Sequence, residues 1–274
     1  MWFKNRTKLF RKRALHRAKI FFSYWLKPRT GKEPVFVIAA RRTGSNMLIS
    51  CLNSVPQASF AGEILNKSMS CGLRQRFISK KSVLRHIVHS VQHCEQALCG
   101  AKFVQTHLDT HGIGPSDLKR LFPNARFIIL YRRSLLEQFV SLKIAEMTDV
   151  WQWTREFKLP ECLSISVPEF TEFCAETKKF YERLFQEDCL KDCSLVLGYE
   201  EFAEDPQGVF EESVFPFLRR PAVPVRNGMI KQNTQELRQI VANYLEVEPF
   251  LHHPSARQEY SSARHALQGA THVA

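Results

Sequence analysis

Residues 35–48 read VFVIAARRTGSNML, and the fold is decided there. Val35–Ala40 is an uninterrupted apolar run, the pattern of a central parallel strand covered on both faces. Two arginines, a threonine, a glycine and a serine follow. From Asn46 the apolar positions Met47, Leu48, Cys51, Leu52 and Val55 recur at helical spacing as far as Pro56. A strand, a short polar loop and a helix in that order point backbone N–H groups and a helix N-terminus at an anion. Gly44 lets the backbone approach closely, Thr43 and Ser45 offer hydroxyls, and Arg42 supplies a planar fork of donors. The GxxxxGK[ST] pattern of nucleoside triphosphatases is absent, because no lysine follows the glycine and no earlier glycine opens the loop. A magnesium nucleoside triphosphate is therefore disfavoured. Plain helix capping by Ser45 is the ordinary alternative.

Working outward, the α/β alternation continues. Ala101–Thr106 and Ser194–Leu197 read as strands, and Arg126–Tyr131 (RFIILY) is the clearest strand after the first. Helices are predicted within Leu73–Leu98, over Pro115–Phe122, from Ser134 towards Glu146, over Pro168–Cys189, from Asp205–Pro206 through Phe217, and over Thr234–Leu245. Phe60–Leu65 reads as a loop carrying Gly62–Glu63, and the tail from His252 as loose. Strands alternating with helices predict an α/β fold, a P-loop-like doubly wound parallel sheet flanked by helices. Such sheets bind ligands beyond the C-terminal ends of their strands, and Arg41–Arg42 and Arg132–Arg133 both fall at such ends.

The 274 residues suffice for one substantial core. The net charge of +12 is concentrated at one end. Residues 1–32 hold eleven Lys/Arg and no Asp or Glu, which leaves 28 of the 39 basic residues against all 27 acidic ones. This predicts three parts: a basic N-terminal arm over 1–32, a domain over 33–251 and a tail over 252–274. In the arm Phe3, Thr7, Phe10, Ala14, Ala18, Phe21 and Trp25 recur at spacings of three and four, so residues 1–26 read as an amphipathic helix suited to an anionic membrane surface. Its richest apolar run, Ile20–Leu26, is too short to span a bilayer, and no cleavage signature follows it. A solvated arm that packs on its own domain or holds polyanions non-specifically is the other reading. The eight cysteines form no CxxC pair or zinc-like block, so free thiols and a cytoplasmic location, peripheral on the inner face of the membrane if the arm engages it, are expected. Nucleic acid is not an expected partner, and oligomeric state leaves no mark in the sequence.

Four segments in this order resemble the sulfotransferases that use 3′-phosphoadenosine 5′-phosphosulfate. They are RTGSNML at 42–48, RRSLLEQFVS at 132–141, GYEEFAEDP at 198–206 followed by VFPFL, and KQNTQELRQIVANYLEVEPFL at 231–251. Their order and spacing are similar across roughly residues 34–251, and the likeness is strongest to bacterial carbohydrate sulfotransferases of the trehalose, lipopolysaccharide or Nod-factor kind. The resemblance implies that Arg42, Thr43, Gly44, Ser45 and Asn46 cradle the 5′-phosphosulfate. It places the 3′-phosphate on Arg133 and Ser141, eight residues apart. Lys231 and Arg226 are its candidates for a C-terminal loop that closes on the nucleotide. Ser134–Leu135 stand where many members have Asp-Pro, and Arg41 replaces a common proline, which makes Arg41 the dispensable member of its pair.

The chemistry implied is in-line transfer of a sulfuryl group to a hydroxyl of a carbohydrate or glycolipid, without a metal. Arg42, the loop amides and Ser45 would stabilise charge on the leaving phosphate. Glu63, in FAGEIL, resembles the acidic base of the trehalose enzyme and is the first choice as general base. His107, in FVQTHLDTH, resembles the Thr-His-Leu of the cytosolic small-molecule branch and is the alternative. Lys102 falls near the same strand ends, Trp151 and Trp153 could stack on a ring, and Tyr199 is expected to pack within the fold. Two other readings compete: a small-molecule kinase, and a catalytically inactive nucleotide-fold scaffold that binds membrane or polyanions through its arm.

Overall fold

A computed structural model describes residues 33–65, 79–151, 162–229 and 236–260. The basic arm, Trp153 and Lys231 lie outside the described residues. Strand β1 (Val35–Ala39) runs through the loop at 40–44 into helix α1 (Ser45–Ser54), and β2 (Ala58–Glu63) follows at once. Helix α2 (Lys80–Gln92), β3 (Leu98–Val104), α3 (Gln105–His111), α4 (Pro115–Leu121) and β4 (Arg126–Tyr131) come next. The chain continues through α5 (Leu135–Thr148), α6 (Val167–Phe185), β5 (Ser194–Gly198) and α7 (Tyr199–Glu204), then a helical run over Pro206–Leu218. The five strands form one all-parallel sheet in the order β2-β3-β1-β4-β5. This is the α/β architecture expected.

Strand alternation distributes the sheet's side chains between two cores. Phe36, Ile38, Phe103, Phe127 and Ile129 face a layer that includes Ile87, Leu118, Phe180 and Tyr181. Val35, Val37, Ala39, Ile128 and Leu130 face the layer of Leu48, Leu52, Phe202, Phe210 and Phe215. Both faces are dry, which is why β1 and β4 read as continuous apolar runs. Burying each large side chain contributes about 1.5–3 kcal/mol over leaving it exposed. A third cluster joins α5 and the start of α6 to Leu163, Ile165 and the chain beyond Leu237.

Local signals set several boundaries. Ser134 caps α5 by accepting from the Glu137 amide at 3.3 Å, and Ser166 caps α6 by accepting from Glu169. Pro115 opens α4, whose Asp117 accepts from the Gly114 amide at 3.1 Å.

Four expectations require correction. Of the loop expected over Phe60–Leu65, residues 60–63 belong to the edge strand β2, with the backbone of Phe60 bonded on both sides by the Asn53 side chain at 2.6 and 3.0 Å. The second strand begins at Leu98 and yields to helix after Val104. In the described part of the helix expected over Thr234–Leu245 there are two single turns, Leu237–Ile240 and Tyr244–Val247, separated where Val241 bridges Leu163. Of the tail expected to be loose from His252, the described part, 252–260, is packed: Ala256 and Gln258 are buried, and Tyr260 packs against Tyr131, Tyr181 and Phe185, while 261–274 lie outside the described residues. Among the described residues no helix is long and apolar enough to cross a membrane, and the seven cysteines there are all thiols.

Candidate active site

The loop after β1 is held in a conformation that few residues tolerate. Arg42 has φ 63° and Gly44 φ 79°, both in the left-handed region; for Arg42 this costs on the order of 1–3 kcal/mol. The surroundings enforce it. Thr43, fully buried, donates its hydroxyl to the Ala40 carbonyl at 3.0 Å, and Gln138 donates to the Arg41 carbonyl at 2.7 Å. Tyr181 accepts from the Ala40 amide at 3.0 Å and donates to the Leu130 carbonyl at 2.7 Å, joining the ends of β1 and β4. Gly44 is the N-cap of α1, with no side-chain cap, so capping by Ser45 is not what the loop is for. Ser45 is the first helical residue and is buried.

Gly44 has a second constraint. A Cβ there would fall inside the contact distance of the Tyr199 ring. Gly44→Ala should therefore combine left-handed strain of about 1–2 kcal/mol with overpacking of about 1–3 kcal/mol. A lowered urea midpoint with an unchanged slope is the expected result, and an unchanged midpoint would show that the loop is not locked.

Arg42 turns its guanidinium across the sheet ends. Its Nε donates to Ser141 Oγ at 3.1 Å and its Nη1 to the Trp151 carbonyl at 2.8 Å. Burial, then the nearby Arg132, pull its pKa down to about 10. It remains charged at neutral pH, in a place where a further negative charge would stabilise it. Arg132 lies 4.8 Å above the Tyr199 ring and pairs with Glu137 at 2.6 Å, while its buried Nε has no hydrogen-bond partner among the described residues. A strained loop, helix amides, a crowded cation and an orphaned buried donor together fit an anionic ligand.

The two residues that the resemblance places on the 3′-phosphate have different protein partners. Ser141 meets Arg42, whereas Arg133 pairs with Glu201 and, at 2.9 Å, with Glu259. Burial works against the Arg133 charge, but the two carboxylates outweigh it and hold the guanidinium above its ordinary pKa. Arg226 is exposed; its amide donates to Ser54 Oγ at 2.9 Å, and the Gly228 amide donates to Ser50 Oγ at 2.9 Å. The loop that precedes Lys231 is thus laid along α1.

Both candidate bases lie in one network. A register shift between Ala61 and Glu63, around Gly62, places Glu63 opposite Lys102 of β3. Such bulges re-aim a side chain at the end of an edge strand. Lys102, with only 1% of its side chain exposed, donates from Nζ to Asn46 Oδ1 and pairs with Glu63 Oε1 at 2.9 Å. Burial lowers the lysine's pKa and Glu63 opposes that shift. His107 Nε2 lies 3.8 Å from the other Glu63 oxygen. Burial holds the imidazole below its usual pKa, against the pull of Glu63, so the ring is neutral at pH 7. The loop, the lysine, the carboxylate and the histidine are therefore continuous.

A family comparison matches residues 34–221 to the group described as the sulfotransferase family. That is well over half of the chain. The chain belongs to the sulfotransferase family. Among solved structures, a sulfotransferase from Alicyclobacillus acidocaldarius aligns with a TM-score of 0.51 at 16% identity, over 87% of this chain and 96% of that one. It shares the fold. A sulfotransferase from Mycobacterium tuberculosis aligns at 0.47 and 14% identity, over 80% and 76% of the two chains. A mouse sulfotransferase complexed with PAP aligns at 0.43 and 12% identity, over 71% and 62%. A comparison with curated protein sequences returns no match.

For a sulfotransferase the arrangement has a direct chemical sense: cations and amides on one side, a carboxylate with partial access to solvent on the other, joined by one lysine. Sequence reasoning singled out Glu63 and Asn46 but not the Lys102 bridge between them. It also left Tyr199 as ordinary packing, although that ring is what closes over Gly44 and carries Arg132.

Proposed function

We propose that this sulfotransferase moves the sulfuryl group of 3′-phosphoadenosine 5′-phosphosulfate to a hydroxyl of a carbohydrate or glycolipid. The observation that carries this reading is the Asn46–Lys102–Glu63 connection, which leaves the anion loop and a candidate base one lysine apart. Arg42, the first amides of α1 and Ser45 hold the phosphosulfate end. Arg133 and Ser141 serve the 3′-phosphate, and Lys231 closes over the nucleotide. The acceptor oxygen bonds to sulfur as the bridging sulfur–oxygen bond breaks, and the leaving phosphate oxygen keeps the electron pair. Glu63 accepts the hydroxyl proton. The carboxylate suits this better than His107, because 29% of its side chain is exposed against 11% of the imidazole.

Trp151, 42% exposed and with its carbonyl on Arg42, offers a flat apolar ring where a sugar could stack. The basic arm fits recruitment to an anionic membrane on which a glycolipid acceptor would reside.

Calorimetry with adenosine 3′,5′-bisphosphate, AMP and magnesium-ATP tests the donor. Binding that requires the 3′-phosphate and weakens in Arg133→Ala supports it. A preference for magnesium-ATP would replace the reading with a kinase, and no nucleotide binding at all would favour the inactive scaffold.

A further inference from the structure

The chain from Arg257 to Tyr260 crosses the turn between β4 and α5, and it is built in firmly. Arg257 bridges Ser134. Gln258, only 5% exposed, donates its amide to the Arg133 carbonyl at 3.1 Å and its side chain to the Arg132 carbonyl at 2.7 Å. Tyr260 donates to Gln258 Oε1 at 3.0 Å and sets its ring among Tyr131, Tyr181 and Phe185. Between these two anchors stands Glu259. One of its oxygens accepts from Tyr131 at 2.6 Å, and the other lies 2.9 Å from Arg133 Nε as an ion pair that is not aligned as a hydrogen bond. Glu201, on α7, takes Arg133 Nη2. Two carboxylates from distant parts of the chain are thus spent on one guanidinium.

The fixed parts explain the backbone path but not the second carboxylate. Glu200 already accepts from the amides of Arg133 and Ser134 at 2.9–3.2 Å, so the turn does not need Glu259 to hold its shape. The Arg133–Glu259 pair is partly exposed, with side-chain exposures of 28% and 51%, which keeps it weak enough to be exchanged. A phosphate dianion is a stronger acceptor for a guanidinium than a carboxylate.

Resting on the donor reading above, we propose that Glu259 is an internal competitor for Arg133 that sets how tightly the nucleotide's 3′-phosphate is held. The carboxylate yields Arg133 to the phosphate and returns when the nucleotide leaves, swinging only its own side chain because Gln258 and Tyr260 keep the backbone in place. Donor and spent nucleotide carry the same 3′-phosphate, so both are weakened alike and release of the product is hastened. Glu259 is an affinity-determining residue, not a catalytic one.

The test is calorimetry of adenosine 3′,5′-bisphosphate and of AMP with the full chain and with Glu259→Gln. Glutamine keeps the oxygen that accepts from Tyr131 and removes only the competing charge. The variant should bind the bisphosphate about three- to tenfold tighter and AMP no differently, and the gain should vanish when Arg133→Ala is added. Glu201→Gln, on a separate element, should shift affinity in the same direction. Equal or weaker bisphosphate binding in both glutamine variants, or an equal gain for AMP, would overturn the proposal while leaving the donor assignment intact. Absence of bisphosphate binding in the unaltered chain would remove the donor assignment and this proposal together.

Discussion

Glu63→Gln is expected to slow single-turnover sulfuryl transfer by roughly 10²–10⁴-fold, the usual worth of a general base, while bisphosphate binding stays unchanged. The expectation follows from geometry. Glu63 sits on a bulge at the end of an edge strand, with one oxygen against Lys102 and the other towards His107. Glutamine keeps the size and an acceptor for Lys102, so the loop side of the site stays in place through Asn46. What it cannot do is take a proton. His107→Asn provides the comparison, because the imidazole is more buried than the carboxylate, and its loss should cost clearly less. If the two variants fall equally, the pair acts as one unit; if only His107→Asn falls, the base is misassigned.

Arg42→Ala carries the second large effect. Arg42 belongs to the loop that opens on the first amides of α1, where the proposed reaction puts the leaving phosphate, and loss of one such preorganised donor costs about 2.7–4 kcal/mol of barrier, or roughly 10²–10³ in rate. Arg42→Lys should recover only part of this, since an ammonium keeps the charge but cannot reach Ser141 and the Trp151 carbonyl with a planar fork. Stability should move the other way or little, because alanine bears the same left-handed strain as arginine at this position but leaves no buried charge to desolvate. Single-turnover rates beside urea midpoints separate the two effects. A rate within a few fold of the unaltered chain would remove Arg42 from the reacting end of the donor.

The sheet was legible where burial is two-sided. Val35–Ala39 and Phe127–Tyr131 are apolar throughout because helices cover both faces, and their length, too short for a typical helix, with polar loops on either side favours a strand. Residues 58–63 hid because an edge strand with only Phe60 fully buried needs no alternating pattern, and Ala61–Gly62 resembles a turn. Leu237, Ile240, Val241 and Tyr244 are spaced like a helix, yet Val241 is drawn into a bridge with Leu163, a contact that local periodicity cannot register.

The site divides in the same way. The anion loop was visible because its residues are contiguous. The Lys102–Glu63 pair was not, since it depends on the register between two strands and on one bulge that shifts it. Glu259 is farther still from its partner: it lies in a polar tail whose composition resembles disorder, and only the folded chain places it on Arg133.

The central claim is the transfer itself. The full chain should be incubated with 3′-phosphoadenosine 5′-phosphosulfate carrying a radiolabelled sulfuryl group and with a panel of carbohydrates and glycolipids. Label is expected on an acceptor hydroxyl, with adenosine 3′,5′-bisphosphate released in equal amount, and both are expected to be lost in Glu63→Gln. Label transferred only to non-carbohydrate acceptors, or transfer at full rate without Glu63, would contradict it.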